Sequence, residues 1–203
     1  LAEAEAICGR TLALVERERD DVRTGLVWLW LGNICRARGM LTQALQMYAH
    51  ATKHMRRGRD VIHLARIILN RAAVLNRIGE TRESAAEYRE VRILATQIGD
   101  RVTSLRAMLG VGMTELRNGE HRSARRALLA AWREARRVAA SREECLALEF
   151  LAELQTVSNR TGQAVRSLRL CRRLAERIAP DGDLIAELGV RDALRSLIAG
   201  DVE

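Results

Sequence analysis

Trp28-Leu29-Trp30-Leu31-Gly32-Asn33-Ile34-Cys35, followed by Gly39, Ala44, Tyr48 and Ala51, is the stretch on which the fold turns. Its mixture of large and small residues returns every 40 positions. Gly39, Gly79, Gly119 and Asn159 form one column, and Ala44, Ser84, Ala124 and Ala164 a second. Tyr48, Tyr88, Leu128 and Leu168 form a third, and Ala51, Val91, Ala131 and Cys171 a fourth. Upstream of each turn stand Gly32, Ala72, Gly112 and Ala152. Small residues recur where two backbones approach, and large ones where a knob fills the gap. Columns held in phase over four copies mark a repeat array, whose units bury their apolar faces against neighbours.

Composition agrees. Of the 203 residues, 48% are hydrophobic but only 3% aromatic, and Pro180 is the only proline. Ala, Leu, Arg and Glu dominate, all strong helix formers, and no stretch alternates at period two long enough for a strand. The chain reads as all-α. Its net charge of +8 rests on arginine, since Lys53 is the only lysine. Much of that bias reads as genome composition, which weakens it as a sign of a polyanionic partner. There is no CxxC among Cys8, Cys35, Cys145 and Cys171. Cys8, Cys35 and Cys171 fall on columns expected to be buried, as reduced core thiols. No apolar run reaches the length of a membrane span, and no signal peptide is recognisable.

Each unit reads as helix, tight turn, helix, short loop. Asp20 or Asp21 caps a helix that Gly39 ends, and a second helix runs to about Arg57. Asp60 caps the next helix, Gly79 stops it, and Thr81 caps its partner, which ends before Gly99-Asp100. A third unit turns at Gly119. A fourth opens on Ser141-Arg142-Glu143-Glu144, a capping box. The units span about 20–60, 61–100, 101–140 and 141–180. Residues 1–19 match a second helix, with Ala4 and Cys8 on the Ala44 and Tyr48 columns, and residues 183–199 match a first helix. The segment thus reads as a single solenoid of four to five units that begins and ends in mid-repeat. Self-association through the exposed end helices is expected.

Trp28, Leu31, Gly32 and Cys35, then Ala44 and Tyr48, resemble the tetratricopeptide repeat pattern W-x2-L-G-x2-Y followed by A-x3-F. Cys35 replaces the usual aromatic, the usual proline is absent, and the 40-residue period exceeds the common ~34. Ala95 to Arg101 followed by Met108-Leu109-Gly110 is similar to a longer bacterial variant found in signalling regulators. The resemblance implies a right-handed α-solenoid of antiparallel helix pairs. It also implies a concave groove lined by first helices. On this chain that groove falls on Leu26, Leu29, Asn33, Arg36 and Ala37, then on Arg66, Leu69, Ala73, Asn76 and Arg77. The third set is Arg106, Leu109, Met113, Leu116 and Arg117. The fourth, Leu146, Glu149, Glu153, Thr156 and Val157, turns acidic and apolar.

Arginine forks suit carboxylates, asparagine suits a peptide backbone and leucine suits an apolar anchor. The expected groove residues are therefore Asn33, Arg36, Arg66, Leu69, Asn76, Arg77, Arg106, Met113 and Arg117, and the expected partner is a protein or peptide of acidic character. Catalytic groups are not assembled by any motif. His50 and His54 are four apart on one helix but lack a third ligand, and the glycines form no phosphate loop. Gly110 and Gly112 lie inside a helix, where close packing accounts at least for Gly112. The arginine runs at 56–59, 122–126, 133–137 and 172–173 read as solvated convex surface without aromatic stacking platforms.

The expectation is a cytoplasmic, non-enzymatic binding module without cofactor or metal. It would be the sensory or docking region of a bacterial signalling or transcription regulator. A freestanding scaffold or chaperone-type adaptor is one alternative, and a nucleic-acid binder using the convex arginines is another.

Overall fold

A computed structural model describes residues 2–178, except for the side chains of Ala2, Ala4 and Glu5. The expected helix at 183–199 and the packing of Ala4 lie outside the described residues. Among those residues the chain is all-α: α1 (Ala2–Glu18), α2 (Asp21–Ala37), α3 (Leu41–Gly58), α4 (Val61–Ile78), α5 (Thr81–Gln97), α6 (Arg101–Arg117), α7 (His121–Arg137), α8 (Ser141–Val157) and α9 (Thr161–Ile178). Helices of this length are about 26 Å long.

The turns keep a finer period than the columns do. Residues 19, 39, 59, 79, 99, 119, 139 and 159 all have positive φ, so one left-handed residue follows each helix from α1 to α8 at 20-residue intervals. Glycine takes four of these places at no steric cost, Gly79 among them at φ 94°. Arg19, Arg59, Ala139 and Asn159 fill the others; asparagine tolerates this conformation, but each of the other three costs about 1–2 kcal/mol. The interval is held by the packing, since these three residues disfavour the conformation they adopt.

At three helix starts a carboxylate supplies the cap. Asp20, Asp60 and Asp100 each accept from the backbone N–H three residues on, of Arg23, His63 and Thr103, at 2.9, 3.0 and 3.0 Å. Asp60 and Asp100 also accept from the His63 ring and the Thr103 hydroxyl, both at 2.7 Å. The other two expected caps do not form. Glu80 and Ala140 occupy the cap positions with no side-chain bond, while Thr81 and Ser141 are the first residues of their helices. In both turns the chain leaves its left-handed residue one position earlier than a Thr81 or Ser141 cap requires.

Two compact units divide the described residues, unit 1 up to Asn118 and unit 2 from Gly119. In unit 1 each helix packs on the next from α1 to α6, and α4 also meets α2 on one side and α6 on the other, forming a layer of first helices. In unit 2, α7 packs on α8 and α8 on α9.

Burial bears out the register. Ala44, Ser84 and Ala124 are 0% exposed and Ala164 1%, while Ala51, Val91, Ala131 and Cys171 are all 0%. Tyr48 is fully buried against Gly32, where an added Cβ would stand 2.5 Å from the ring. Tyr88 occupies the same column but seats its ring on Gly110, not on the residue equivalent to Gly32. That equivalent is Ala72, which carries a Cβ where Gly32 has none. Gly110, and not Gly112 alone, is thus the close-packed glycine of α6.

Cys35 and Cys171 are buried as expected, together with Cys145, and none of the four cysteines is in a disulfide. Cys145 and Cys171 face each other across α8 and α9, each thiol directed at the other's carbonyl, at 3.6 and 3.4 Å. Cys8 is only half-buried.

Two predictions follow from these contacts. Gly9 has nothing within 4 Å of an added Cβ, so Gly9→Ala stabilises by up to about 1 kcal/mol through helix propensity alone. Gly32→Ala makes the same gain but drives the Tyr48 ring out of its notch, and it destabilises by about 1–3 kcal/mol net. Denaturant midpoints decide, and equal shifts for the two variants would mean that the notch is not tight.

The second prediction concerns acid. Partial burial acts to raise the Asp60 and Asp100 carboxyls, but hydrogen bonds from the His63 and Thr103 backbones and side chains outweigh it. Both are held below the ordinary 3.8. A depressed folded pKa gives stability that is present above 3.8 and is lost as pH falls through the folded value. Asn caps a helix as well as Asp does and does not titrate. The Asp60→Asn, Asp100→Asn double variant therefore shows a shallower loss of denaturant midpoint below that pH, and an unchanged acid limb would contradict the assignment.

Candidate peptide-binding groove

Unit 1 carries a groove of about 540 Å³ across its layer of first helices. From α2 it takes Leu26, Leu29, Trp30 and Asn33, spaced so that all four share one helix face. From α4 it takes His63, Arg66, Leu69 and Asn70, and from the start of α6 Asp100, Val102, Thr103 and Arg106. Leu26, Leu29 and Leu69 form an apolar floor, and Trp30 stands 60% exposed beside it.

A hydrogen-bond relay fixes the polar centre of the groove. The Tyr48 hydroxyl donates to Asn33 Oδ1 at 2.8 Å, and Asn70 Nδ2 donates to the same oxygen at 3.1 Å. Burial pushes the Tyr48 phenol up, and the Arg36 guanidinium hydrogen-bonded beside it acts the other way. The order Arg36, Tyr48, Asn33, Asn70 thus links the edge of α2, the core knob of α3, and the groove-facing amides of α2 and α4. With Oδ1 taken by two donors, the orientation of the Asn33 amide is determined by its partners.

Four of the nine expected residues, Asn33, Arg66, Leu69 and Arg106, line this groove together. Arg36 belongs to the relay behind it. Arg77 is exposed and Met113 half-buried, both outside the groove lining.

Asn76 is a correction. It is 1% exposed and donates to Thr114 Oγ1 at 3.0 Å between α4 and α6. Arg117 also turns to this seam, donating to the Asn76 carbonyl at 2.8 Å. The reason lies in the register. Thr114 is the polar member of the column Ile34, Val74, Thr114 and Leu154, so Asn76 finds a partner inside, whereas Val74 offers none to Arg36. Leu29, Leu109 and Leu116, also on the expected groove columns, are 8, 4 and 8% exposed. In unit 2, Glu149 on the Leu29 column is fully buried.

Six lining residues were missed: Trp30, His63, Asn70, Asp100, Val102 and Thr103. Trp30 and Asn70 share a column 40 apart, as do His63 and Thr103, beside the capping aspartates. One further column of each first helix holds Trp30 and Asn70, while the other four stand at the starts of α4 and α6.

The histidine pair is accounted for by protein contacts. His50 stacks on Trp28 with ring centroids 4.6 Å apart, and His54 Nδ1 lies 2.7 Å from Asp21 Oδ1. Among the described residues no group of three or more His, Cys, Asp and Glu could hold a metal ion. No helix among them is long and apolar enough to cross a membrane.

No family model matches the chain, and no curated protein is similar to it in sequence at a significant level. Solved structures do match in fold. The Rap conjugation gene regulator of plasmid pLS20, in complex with a Phr peptide, superposes with a TM-score of 0.69 at 13% identity. That match covers 86% of this chain and 55% of the regulator, so this chain spans little more than half of that protein's length. The TPR-like repeats of a kinesin light chain from Podosopora anserina give 0.67 at 12% identity, with 88% of each chain covered. BtubC from P. vanneervenii gives 0.66 at 14% identity, covering 98% of this chain and 92% of that one. The chain therefore has a tetratricopeptide-type, all-α repeat fold.

Proposed function

We propose that this chain is a peptide-binding module whose unit 1 groove takes an extended peptide of acidic character. The observation that carries the reading is the fixed amide of Asn33. Tyr48 and Asn70 hold its oxygen, which leaves two amide donors for an occupant of the groove. An extended peptide presents a carbonyl at every residue, and a donor already oriented binds it at small ordering cost. Leu26, Leu29 and Leu69, with the exposed Trp30, suit an apolar side chain. Arg66 and Arg106 suit a carboxylate and outnumber Asp100, the one lining carboxylate.

That the Rap regulator of like fold is in complex with a peptide supports the same reading. In the wider protein we read the module as the non-enzymatic sensory or docking region of a cytoplasmic bacterial signalling or transcription regulator. Ile7 and Leu14 on α1, 47 and 60% exposed, support the further expectation of self-association.

Panning a library of short random peptides against the 203-residue chain tests the groove. Acidic peptides bearing one large apolar residue are expected to be enriched, with affinity that weakens as salt rises. Each arginine contact contributes about 1.5–3 kcal/mol. Arg66→Glu with Arg106→Glu therefore abolishes capture while far-UV helicity is retained. Enrichment of basic peptides, or capture that survives both reversals, would overturn the proposal.

A further inference from the structure

Unit 2 holds a cavity of about 300 Å³ that belongs to no site described so far. Its cations are Arg122 and Arg125 near the start of α7 and Arg160 just before α9, with His121 beside them. Its floor is Leu129, Leu151 and Leu154, the last two 4 and 3% exposed. None of the lining residues is Asp or Glu.

That imbalance is local. At the far end of α7 the arginines have acidic neighbours, Arg137 with Glu134 at 2.7 Å and Arg136 with Glu144 at 3.6 Å. Arg122, Arg125 and Arg160 form no ion pair among the described residues. Three like charges facing one apolar-floored cavity repel one another, and an anion between them removes that repulsion.

The shape of the charge selects the anion. A lone carboxylate takes one guanidinium fork, whereas a phosphate monoester presents three terminal oxygens and up to two charges, enough for three forks. The end of α8 at Gln155 and Ser158 and the start of α9 at Gln163 complete the lining with neutral polar side chains that can donate to such an anion. A nucleic-acid strand is disfavoured, because the lining contains no Phe, Tyr or Trp on which a base could stack.

We propose that this cavity is a binding site for a phosphate monoester, its phosphate held by Arg122, Arg125 and Arg160 and its organic stem lying on Leu129, Leu151 and Leu154. All of these residues belong to unit 2.

Calorimetric titration of the whole chain with phenyl phosphate, inorganic phosphate and benzoate tests it. Phenyl phosphate is expected to bind saturably at one site, inorganic phosphate more weakly for want of the stem, and benzoate at least about tenfold more weakly than phenyl phosphate. Arg125→Gln and Arg160→Gln each weaken phenyl phosphate by about tenfold or more. Arg133→Gln, which removes the same charge from α7 outside the cavity, does not. O-phosphoserine and a short phosphoserine peptide distinguish the sources: equal affinity assigns the site to a free metabolite, and tighter peptide binding assigns it to a phosphorylated segment. Absence of saturable phosphate binding, benzoate binding as tightly as phenyl phosphate, or an equal loss with Arg133→Gln would overturn the proposal. So would duplex DNA displacing phenyl phosphate with an Arg133-dependent affinity.

Discussion

A tyrosine ring seated against a bare helix backbone sets the spacing on which unit 1 depends. Tyr48 is fully buried, and its ring occupies the place where Gly32 lacks a Cβ. Interiors are packed as densely as organic crystals, so the pair fixes how closely α2 and α3 approach. The next copy differs: Ala72 stands at the position equivalent to Gly32, and Tyr88 seats on Gly110 of α6 instead. The same column residue therefore binds a helix pair together in one repeat and joins successive repeats in the next. Small and large residues at the interface, more than loop chemistry, hold the 20-residue turn interval, and strained left-handed residues such as Arg59 and Ala139 are tolerated because of it.

This packing is also what connects the core to the groove. The Tyr48 ring answers to Gly32, while its hydroxyl reaches Asn33 at 2.8 Å and lies beside Arg36. Asn70 completes the arrangement from α4. A buried knob thereby orients a solvent-facing amide. The second tyrosine does not repeat this, because its ring points to α6, where burial pushes its phenol up and Arg117 is the neighbouring charge. Polar groups between α4 and α6 are spent internally, Asn76 on Thr114 and Arg117 on the Asn76 carbonyl. The groove consequently lies toward the N-terminal halves of α4 and α6.

The repeat columns made the fold legible before any coordinates. Helix bounds, the Gly39, Gly79 and Gly119 turns and the fully buried Ala44 and Ala51 columns all follow from a 40-residue register. The site was legible only in part, since a column predicts which helix face a residue occupies but not whether a polar partner waits opposite it. Asn33 and Asn76 look alike in sequence. Tyr48 turns the first outward, and Thr114 takes the second inside. Arg122 and Arg125 read as solvated surface because Arg160, which shares their cavity, is about 35 residues away and carries no motif. Failed caps have a similar cause: Thr81 and Ser141 have the right chemistry one residue too late.

The central claim, that one buried tyrosine both spaces the helices and orients the groove amide, is tested most directly by Tyr48→Phe followed in the side-chain amide region of a nitrogen–proton NMR spectrum. Phenylalanine keeps the ring in the Gly32 notch and removes only the hydroxyl. The account predicts a native spectrum in which the backbone signals of α2 and α3 stay in place while the Asn33 amide pair shifts and exchanges faster with solvent. An Asn33 pair unchanged in position and exchange, or a loss of native backbone signals with the ring still present, would contradict it.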